Sequence, residues 1–337
     1  MSQKYATLDD IARAADMSRT QVSRALRGDP GVKPRTRERV MQIASQLGYR
    51  PNVAAQSLAS AQSKTVGLVI GEPMNPFHIQ LAQAVDAALV AAGLDPMVSL
   101  RALDDESALR EADRLISMRA AGAILIGTPH SESAITEMAK RLPCVYIGKK
   151  VKNPGVSTVS VDDKAGVEML IRLLVTLGHS NIAHIRGGTE AAAEERLDSY
   201  QQVMIENGLT PMVFAGGSDA DAGRRGVDAL IAHSPAPTAI FAYNDFMACG
   251  AINRLYGLGK RVPDDISVVG FDDIPAAASE TLSITTLRQN REDQATKAVR
   301  LLLELMKGES VAPQKIVVPV ELMVRRSVTA PRVTTAQ

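Results

Sequence analysis

Short apolar segments alternate with longer helical patterns over most of this chain. The segments TVGLVIG (65–71) and TAIFA (238–242) are typical of buried strands, and helical patterns follow them at 76–92 and 245–256. Because parallel strands need a crossover connection, usually a helix, this alternation predicts doubly wound parallel sheets. There are two such series, and the chain crosses back after Thr285. The α/β body is therefore predicted to form two lobes rather than one large sheet.

The first residues of the chain have a different pattern, which is all-helical. Residues 7–26 read as two short helices joined by a tight turn, and Ser18 stands where it can cap the second helix. This spacing predicts a helix-turn-helix, whose second helix enters the major groove of DNA. An ordinary helical hairpin in a core has the same local pattern. The apolar stripe of the first helix is Leu8, Ile11, Ala12 and Ala15, and that of the second is Met17, Val22, Ala25 and Leu26.

The charge of the chain is distributed unevenly. The net charge is only +1, yet residues 1–64 carry 11 Lys and Arg against five Asp and Glu, a net charge of +6. The rest of the chain carries 27 basic and 32 acidic residues, a net charge of −5. A basic segment at one end of a mildly acidic body suits a module that binds a polyanion.

A third helix, a predicted hinge and a linker follow the helix pair. Residues 36–47 form the body of the third helix, with Pro34 near its start and Gly48 as a left-handed C-cap. Asn52 can cap a short helix over 53–59, and the small residues of 60–64 read as a linker. One face of the third helix is predicted to be buried, with Val40, Ile43, Ala44 and Leu47.

These motifs resemble the DNA-binding head and hinge of the lactose-repressor (LacI/GalR) family of bacterial transcription regulators. The resemblance rests on D-I-A-x-x-A-x-x-S-x-x-x-V-S-R-A-L (10–26), V-x-x-x-T-R-x-x-V (32–40) and L-G-Y-x-P-N-x-x-A-x-x-L (47–58). One position departs from the family pattern, because Asp16 occupies the turn position where glycine is usual. Asp tolerates a left-handed backbone, so we expect a positive φ there.

The resemblance implies the residues that contact DNA. Arg19, Thr20 and Arg24 are implied to read base edges in the major groove, where Arg can donate two hydrogen bonds to one guanine. Contacts to phosphates position the domain without reading sequence. The residues implied for phosphate contacts are Thr7, Ser18, Gln21, Ser23, Arg27, Lys33 and Thr36.

The predicted hinge helix is too short to be stable alone. It has seven residues, 53–59, and isolated helices shorter than roughly 12–15 residues are marginal in water. It is therefore predicted to form only when paired with its dimer mate on DNA. By resemblance, Leu58 is the wedge that unstacks a base step in the minor groove. Asn52, Ala55 and Gln56 are implied to line the same groove.

The body resembles the periplasmic-binding-protein-like effector domain of the same family. Matching phrases include N-P-F (75–77), Y-N-D-x-M-A-x-G (243–250) and V-P-D-D-I-S-V-V-G-F-D-D (262–273). The resemblance implies a small-molecule effector of the carbohydrate class, bound in the cleft between the lobes, since Asn, Asp and Arg suit vicinal hydroxyls. The implied effector-binding residues are Phe77, His78, Lys149, Arg196, Asn244, Asp272 and Gln289.

Two departures leave a phosphorylated, acidic or non-sugar effector open. Gly148 stands where many sugar-binding members have an Asp, and the sequence contains no Trp to stack on a sugar. Arg196 and Arg291 are cations that could face an anionic ligand. A sugar-binding transport component is a further alternative that the body alone would suit, and the basic head argues against it.

No catalytic or metal-binding pattern is found in the sequence, so the chain is predicted not to be an enzyme and to need no cofactor. Cys144 and Cys249 are expected to be buried free thiols of a reducing compartment. No segment reads as a signal peptide or a transmembrane helix, which predicts a cytoplasmic protein. The family members with a tetramer-forming Leu tail differ from this chain, so we expect a homodimer on a palindromic operator.

The sequence thus predicts three parts. They are a helix-turn-helix DNA-binding domain over 1–50, a hinge helix and linker over 51–63, and a two-lobed effector-binding and dimerisation domain over 64–337. Lobe 1 is expected to comprise about 64–160 and 288–318, and lobe 2 about 161–287 and 319–330. The last elements are predicted as a helix over 291–307 and one strand over 315–324. The function expected is transcriptional repression controlled by a small molecule.

Overall fold

A computed structural model describes residues 6–50, 63–100, 104–127, 131–149, 151, 155–189, 192–308 and 312–332. The chain divides into two compact units, Met1–Ser63 and Lys64–Gln337. The predicted hinge residues 51–62 lie outside the described residues. Each unit has its own core, and each is described by itself below.

The described residues of the first unit form a bundle of three helices. Its helices are α1 (Leu8–Ala15), α2 (Arg19–Leu26) and α3 (Pro34–Gln46). Ile11, Val22 and Val40, one from each helix, are fully buried in the core that the three helices share. The predicted left-handed turn is confirmed, since Asp16 has φ 53° and ψ 51°.

The ends of these helices agree with the sequence prediction except at one position. Ser18 caps α2 as predicted, and Gly48 has the expected positive φ of 64°. Leu47 was expected on the buried face of the third helix, and this is wrong, because its side chain is 42% exposed. The reason is that α3 ends at Gln46 and Leu47 is already its C-cap, where the helical periodicity no longer applies.

The second unit contains strands and helices in alternation. Its strands are β1 (Thr65–Ile70), β2 (Asp95–Ser99), β3 (Gly122–Ile126), β4 (Cys144–Ile147), β5 (Ser157–Val161), β6 (Ile182–Ile185), β7 (Met212–Phe214), β8 (Ala239–Ala242), β9 (Ser267–Val269), β10 (Thr286–Gln289), β11 (Lys315–Val318) and β12 (Val320–Met323). Its helices are α4 (Pro76–Ala91), α5 (Asp105–Ser117), α6 (Glu132–Arg141), α7 (Asp163–Thr176), α8 (Ala193–Glu206), α9 (Ala220–Ile231), α10 (Asp245–Gly257) and α11 (Arg291–Met306).

The strands form two parallel sheets, as the alternating pattern predicts. The larger sheet has the order β11-β5-β4-β3-β1-β2, and the smaller has the order β7-β6-β8-β9. Every pairing within these two sheets is parallel. We call the half built on the larger sheet lobe 1 and the half built on the smaller sheet lobe 2. A separate antiparallel pair, β10 with β12, accompanies them.

The chain passes between the lobes more than once. After β10 it enters α11, which packs on β3, β4 and β5 of lobe 1. It then forms β11 on the edge of the larger sheet and returns to lobe 2. His179 links the segment around Thr329 to the rest of lobe 2. Its Nδ1 lies 2.8 Å from Oγ1 of Thr238, and its Nε2 lies 2.8 Å from the carbonyl oxygen of Thr329.

The single strand predicted over 315–324 is wrong, since two strands occupy this range. Val318 ends β11 and Val320 begins β12, and the two strands pair with different partners. Pro319 separates them and has no N–H to donate to either ladder. Strand β10 and helix α6 were also absent from the prediction. Among the described residues, no helix is both long and apolar enough to cross a bilayer.

Helices α9 and α10 pack unusually closely. A Cβ atom built on Gly250 would overlap the carbonyl oxygen of Ala220, and one built on Gly223 would overlap that of Met247. The backbones of the two helices therefore touch, which only glycine permits at these two positions. This contact fixes α10, whose N-terminus carries residues of the cavity described below.

Candidate functional site

The exposed face of α2 carries the residues expected to read bases. Val22 and Ala25 are buried against the other helices, whereas Arg19, Thr20 and Arg24 are exposed on the remaining face. The side chain of Arg19 is 68% exposed and lies 3.7 Å from Asp9, a loose contact at the surface. The described residues of this unit leave this face exposed.

Several side chains expected at phosphates also shape the helix ends. Oγ of Ser18 accepts the N–H of Gln21 at 3.2 Å, and Oε1 of Gln21 accepts the N–H of Ser18 at 3.0 Å. Thr7 and Asp10 form the same reciprocal capping box at the start of α1. Nη1 of Arg27 donates to Oγ of Ser23 at 2.6 Å. Lys33 is exposed and Thr36 is half-buried at the start of α3.

Arg24 is held by a carboxylate that the sequence analysis did not single out. Nε of Arg24 donates to Oδ2 of Asp29 at 2.7 Å, and Nη2 donates to Oδ1 at 3.3 Å. The Arg24 hydrogen bond, together with the N–H of Gly31, lowers the pKa of Asp29 to about 2. The pair is therefore ionised at neutral pH.

The expected effector residues converge on one cavity between the two lobes. It is about 50 Å³ in volume and lies at the carboxyl ends of strands, the usual ligand position in open α/β sheets. Lys149, which was expected here, is half-buried but does not line the cavity. Six of the seven expected residues do line it, namely Phe77, His78, Arg196, Asn244, Asp272 and Gln289. The hinge residues Asn52, Ala55, Gln56 and Leu58 lie outside the described residues.

Arg196, on α8, is the centre of the cavity's polar wall. Its Nε donates to Oδ1 of Asp163 at 2.7 Å, and its Nη1 donates to the carbonyl oxygen of Tyr243 at 2.8 Å. Its guanidinium carbon lies 3.5 Å from the ring centroid of Phe271. Burial opposes its charge, but the carboxylates of Asp163 and Asp272 outweigh that effect and raise the pKa of Arg196 further. The guanidinium is therefore a fixed cation that is held through Nε and Nη1.

Asp272 follows β9 with a backbone that L-residues rarely adopt, since its φ is 119°. Its Oδ1 accepts from Nε2 of Gln289 at 2.7 Å and lies 3.9 Å from Nη2 of Arg196. Only 3% of the residue is exposed, and burial raises the pKa of Asp272 to about 7. Such a backbone conformation persists only where the surrounding structure holds it, and residues of this kind cluster at functional sites.

The opposite wall is contributed by α4 and the strand ends of lobe 1. His78 packs over Gly127, where a Cβ atom would overlap the imidazole ring. Burial lowers the pKa of His78 to about 4, so the ring is neutral at neutral pH. Phe77 and Ile147 add apolar surface beside it. The cavity therefore combines an apolar wall with a polar wall, as sites for polyhydroxyl compounds do.

Several residues that line the cavity were missed by sequence reasoning, among them Asp163, Tyr243 and Gln294. Asp163 begins α7 two residues after the end of β5, and Tyr243 follows β8, so a search of strand ends could have found both. Gln294, on α11, is 2% exposed, and its Nε2 makes no hydrogen bond with the described residues. Its amide is thus available to a ligand, although no sequence signal distinguished it.

A helix-turn-helix domain followed in one chain by a two-lobed body with a polar cavity defines a ligand-responsive DNA-binding regulator. Comparison with known proteins agrees. The model of the bacterial regulatory proteins of the lacI family matches residues 7–52, and that of the periplasmic binding protein-like domain matches residues 171–328. The chain belongs to the lacI family of transcriptional regulators.

Relatives match along nearly the whole chain. The probable HTH-type transcriptional repressor ExuR of Bacillus subtilis (strain 168) is 32% identical over 330 residues, covering 96% of this chain and 98% of that protein. The lac repressor dimer, solved bound to operator and the anti-inducer ONPF, is 27% identical with a TM-score of 0.88, covering 97% of this chain and 100% of that chain. The complex of the regulator CelR with cellobiose is 30% identical with a TM-score of 0.72, covering 96% and 99%. These relatives are regulators rather than enzymes.

Proposed function

We propose that this protein is a repressor that binds a palindromic operator as a homodimer and responds to an effector in the cavity between its lobes. The observation that carries the proposal is the cavity itself, in which buried Arg, Asp, Asn and Gln side chains converge in the same chain as a helix-turn-helix. The lac repressor dimer that matches 97% of this chain was solved on operator DNA, which supports the same arrangement here.

The effector is proposed to be a neutral polyhydroxyl compound of the sugar class. Among the described residues that line the cavity, Arg196 is the only one with a permanent positive charge, and it is already paired with Asp163. The amides of Asn244, Gln289 and Gln294 can donate and accept hydrogen bonds, which suits hydroxyl groups. CelR, solved with cellobiose, is a relative whose ligand has this chemistry.

The alternative of a phosphorylated or acidic effector has less support. Arg291 donates a hydrogen bond to Oε1 of Gln80 and does not line the cavity. Lys149 does not line it either. An anion in the cavity would face the carboxylates of Asp163 and Asp272, and like charges at close range are unfavourable in a buried site.

The residues proposed to contact DNA fall into three groups, and the base-reading group lies on the exposed face of α2. Arg19, Thr20 and Arg24 are proposed to read bases. The residues proposed at phosphates are Thr7, Ser18, Gln21, Ser23, Arg27, Lys33 and Thr36, and those proposed in the minor groove are Asn52, Ala55, Gln56 and Leu58. The protein is proposed to act in the cytoplasm, without enzymatic activity. A transport component has no use for residues 7–52, so we do not favour that alternative.

Two measurements test the proposal. The full chain is first used to select duplexes from a pool of randomised palindromic DNA, and affinity is then measured against salt concentration. We expect a selected site whose affinity falls steeply with salt, and the absence of salt-dependent binding would contradict a DNA-binding regulator.

The second measurement is a thermal-shift screen of neutral sugars, sugar phosphates and sugar acids. Compounds that raise the melting temperature are then added to the DNA-binding assay. We expect neutral sugars to raise the melting temperature and to change operator affinity. A response confined to phosphorylated or acidic sugars would contradict the proposed effector class.

A further inference from the structure

The geometry points to Asp29 as a positioning residue for base reading, whose carboxylate holds the Arg24 guanidinium so that one pair of its N–H groups faces a guanine. This inference rests on the proposed role of Arg24 as a base reader and deepens it. Asp29 lies in the loop after α2, outside the helix that meets the groove. No DNA-contacting role had been expected for it.

The carboxylate engages one edge of the guanidinium and leaves another free. Asp29 accepts from Nε and Nη2 of Arg24, at 2.7 and 3.3 Å. A guanidinium carries five N–H donors in a rigid plane, so Nη1 and the second hydrogen of Nη2 remain available. Guanine presents N7 and O6 as two adjacent acceptors in the major groove, which matches that free pair.

Asp29 is itself fixed by its own loop. Its Oδ1 accepts the N–H of Gly31 at 2.8 Å, and its own N–H donates to the carbonyl oxygen of Arg24 at 3.1 Å. Its carbonyl oxygen accepts from Nη2 of Arg37, on α3, at 2.8 Å. The backbone of Asp29 is therefore anchored to both α2 and α3, and its carboxylate is held by the N–H of Gly31 as well as by Arg24.

Within the described residues 6–50, the other arginines of this face have no such carboxylate partner. Arg19 lies 3.7 Å from Asp9, too far for a hydrogen bond, and both side chains are more than half exposed. Arg27 donates to the neutral hydroxyl of Ser23. An arginine that is held before binding loses less side-chain freedom on binding than one that is not. The side chain of Arg24 is thus held in one conformation before DNA binds, whereas the side chain of Arg19 can change its conformation on binding.

A carboxylate at a DNA-binding face has an electrostatic cost, because it repels phosphates. If Asp29 acted only through its charge, removing that charge would strengthen binding to all DNA equally. If Asp29 positions Arg24, removing the charge weakens the preference for one base pair in each half-site. Only the second effect depends on the DNA sequence, so a measurement of base preference distinguishes the two roles of Asp29.

The test uses the full chain and four proteins: wild type, Asp29→Asn, Arg24→Ala and the double variant. Affinities are measured on the selected operator, on operators with each base pair of the half-site replaced, and on unrelated duplex DNA. The base pair whose preference disappears in Arg24→Ala is the Arg24 contact. We expect Asp29→Asn to lower the preference at that base pair by roughly tenfold, within the range for one bidentate contact. In the Arg24→Ala background, Asp29→Asn should not change it further.

A second variant moves Arg24 without changing any charge. A Cβ atom on Gly31 would stand 2.8 Å from Nη2 of Arg24 and 3.1 Å from Oδ1 of Asp29, closer than side chains tolerate. Gly31→Ala should therefore lower the same base preference while leaving the salt dependence of binding unchanged. Thermal unfolding of each variant shows whether the domain still folds.

The outcomes separate this inference from the proposed function. Base preference left intact in both Asp29→Asn and Gly31→Ala would overturn the role of Asp29, even with operator binding normal in the wild type. If Arg24→Ala loses no base preference, the proposed role of Arg24 fails and the inference fails with it. Equal strengthening of all DNA binding by Asp29→Asn would identify Asp29 as a source of repulsion only.

Discussion

Gln289 donates a 2.7 Å hydrogen bond from Nε2 to Oδ1 of Asp272, and both residues line the cavity between the lobes. Asp272 follows β9 in lobe 2, whereas Gln289 ends β10, one residue before α11 packs on lobe 1. A ligand that binds Asp272 at the proposed site would therefore compete with the hydrogen bond from Gln289, a residue of the segment that connects the lobes. Ligand binding there would be able to change the arrangement of the lobes.

Replacing Asp272 should separate ligand response from DNA binding. Asp272→Ala removes an acceptor that faces the cavity, so we expect operator affinity within about threefold of wild type and no change of that affinity on adding the effector. DNA binding is measured with and without the effector found in the thermal-shift screen. Asp264→Ala, at a half-exposed surface position, is the control and should respond normally. A normal ligand response of Asp272→Ala would remove this residue from the site.

Asp272 should also make stability depend on pH. Burial raises its pKa from 3.8 to about 7, so between these values the folded protein binds a proton that the unfolded chain has released. This stabilisation is present at low pH and is lost as the pH rises through 7. Asp272→Asn cannot release a proton, so its stability relative to wild type should increase by about 2–3 kcal/mol from pH 5 to pH 8.

The contribution of Asp272 is obtained from the difference in the free energy of unfolding between wild type and Asp272→Asn at each pH. His78 and His184 have pKa values lowered by burial to about 4 and about 3, and their contributions have the opposite sign. They are present in both proteins and cancel when urea unfolding curves are compared at each pH. A difference that does not vary between pH 5 and pH 8 would mean that Asp272 is ionised throughout.

The buried ion pair of Arg196 should be costly to break. Arg196→Met leaves the buried carboxylate of Asp163 without its cation, so we expect a loss of roughly 3–5 kcal/mol in the free energy of unfolding. Arg224→Met is the matched control, because Arg224 pairs with Asp221 at 2.8 Å at an exposed position. Exposed pairs contribute little, so Arg224→Met should lose much less stability. Urea unfolding of both variants measures the contrast, and equal losses would show that burial does not matter here.

Two glycines of α10 should respond oppositely to alanine. Gly250→Ala forces its Cβ against the carbonyl oxygen of Ala220, so the helix pair must separate, at a cost of at least about 1–3 kcal/mol. Gly257 lies at the end of the same helix, and nothing lies within 4 Å of a Cβ there. Gly257→Ala should therefore be neutral or stabilise by up to about 1 kcal/mol. Thermal unfolding checks both, and a neutral Gly250→Ala would refute the close packing.

The proposed wedge residue Leu58 should affect operator DNA more than other DNA. Leu58→Ala removes the apolar side chain proposed to unstack a base step, while all phosphate contacts remain. We expect operator affinity to fall by at least tenfold and affinity for unrelated duplexes to change by less than threefold. Anisotropy titrations on both DNAs give the ratio. Equal losses on the two DNAs would contradict the wedge.

The sequence predicted those parts of the fold that depend on local pattern. The helix-turn-helix was recognisable because its caps and buried positions, such as Ser18 and Val22, lie within one short stretch. The left-handed turn at Asp16 was predictable for the same reason. Helix α6 carried a usable signal that was overlooked, since Ser131 accepts the N–H of Ala134 as its cap and Ile135 and Met138 form a buried face.

Features that depend on distant partners could not be predicted. Strand β10 has four residues, and its partner β12 begins only at Val320, so no local pattern specifies the pairing. The ion pair of Arg196 joins residues 33 apart, and nothing near Arg196 indicates which carboxylate it meets. Lys149 was expected in the cavity but does not line it. A strand end places the backbone near the cavity, but it does not determine where the side chain of a following residue lies.

The arrangement of β11 and β12 has a consequence for how such a body can be altered. Both lobes are assembled from stretches of chain that lie far apart, and one proline separates the edge strand of one sheet from the returning segment of the other lobe. No single break in the coding sequence can therefore separate one complete lobe from the other. Recombination that exchanges ligand specificity between relatives must transfer residues 64–332 as one inherited block, whereas the head can be exchanged by one crossover before Lys64.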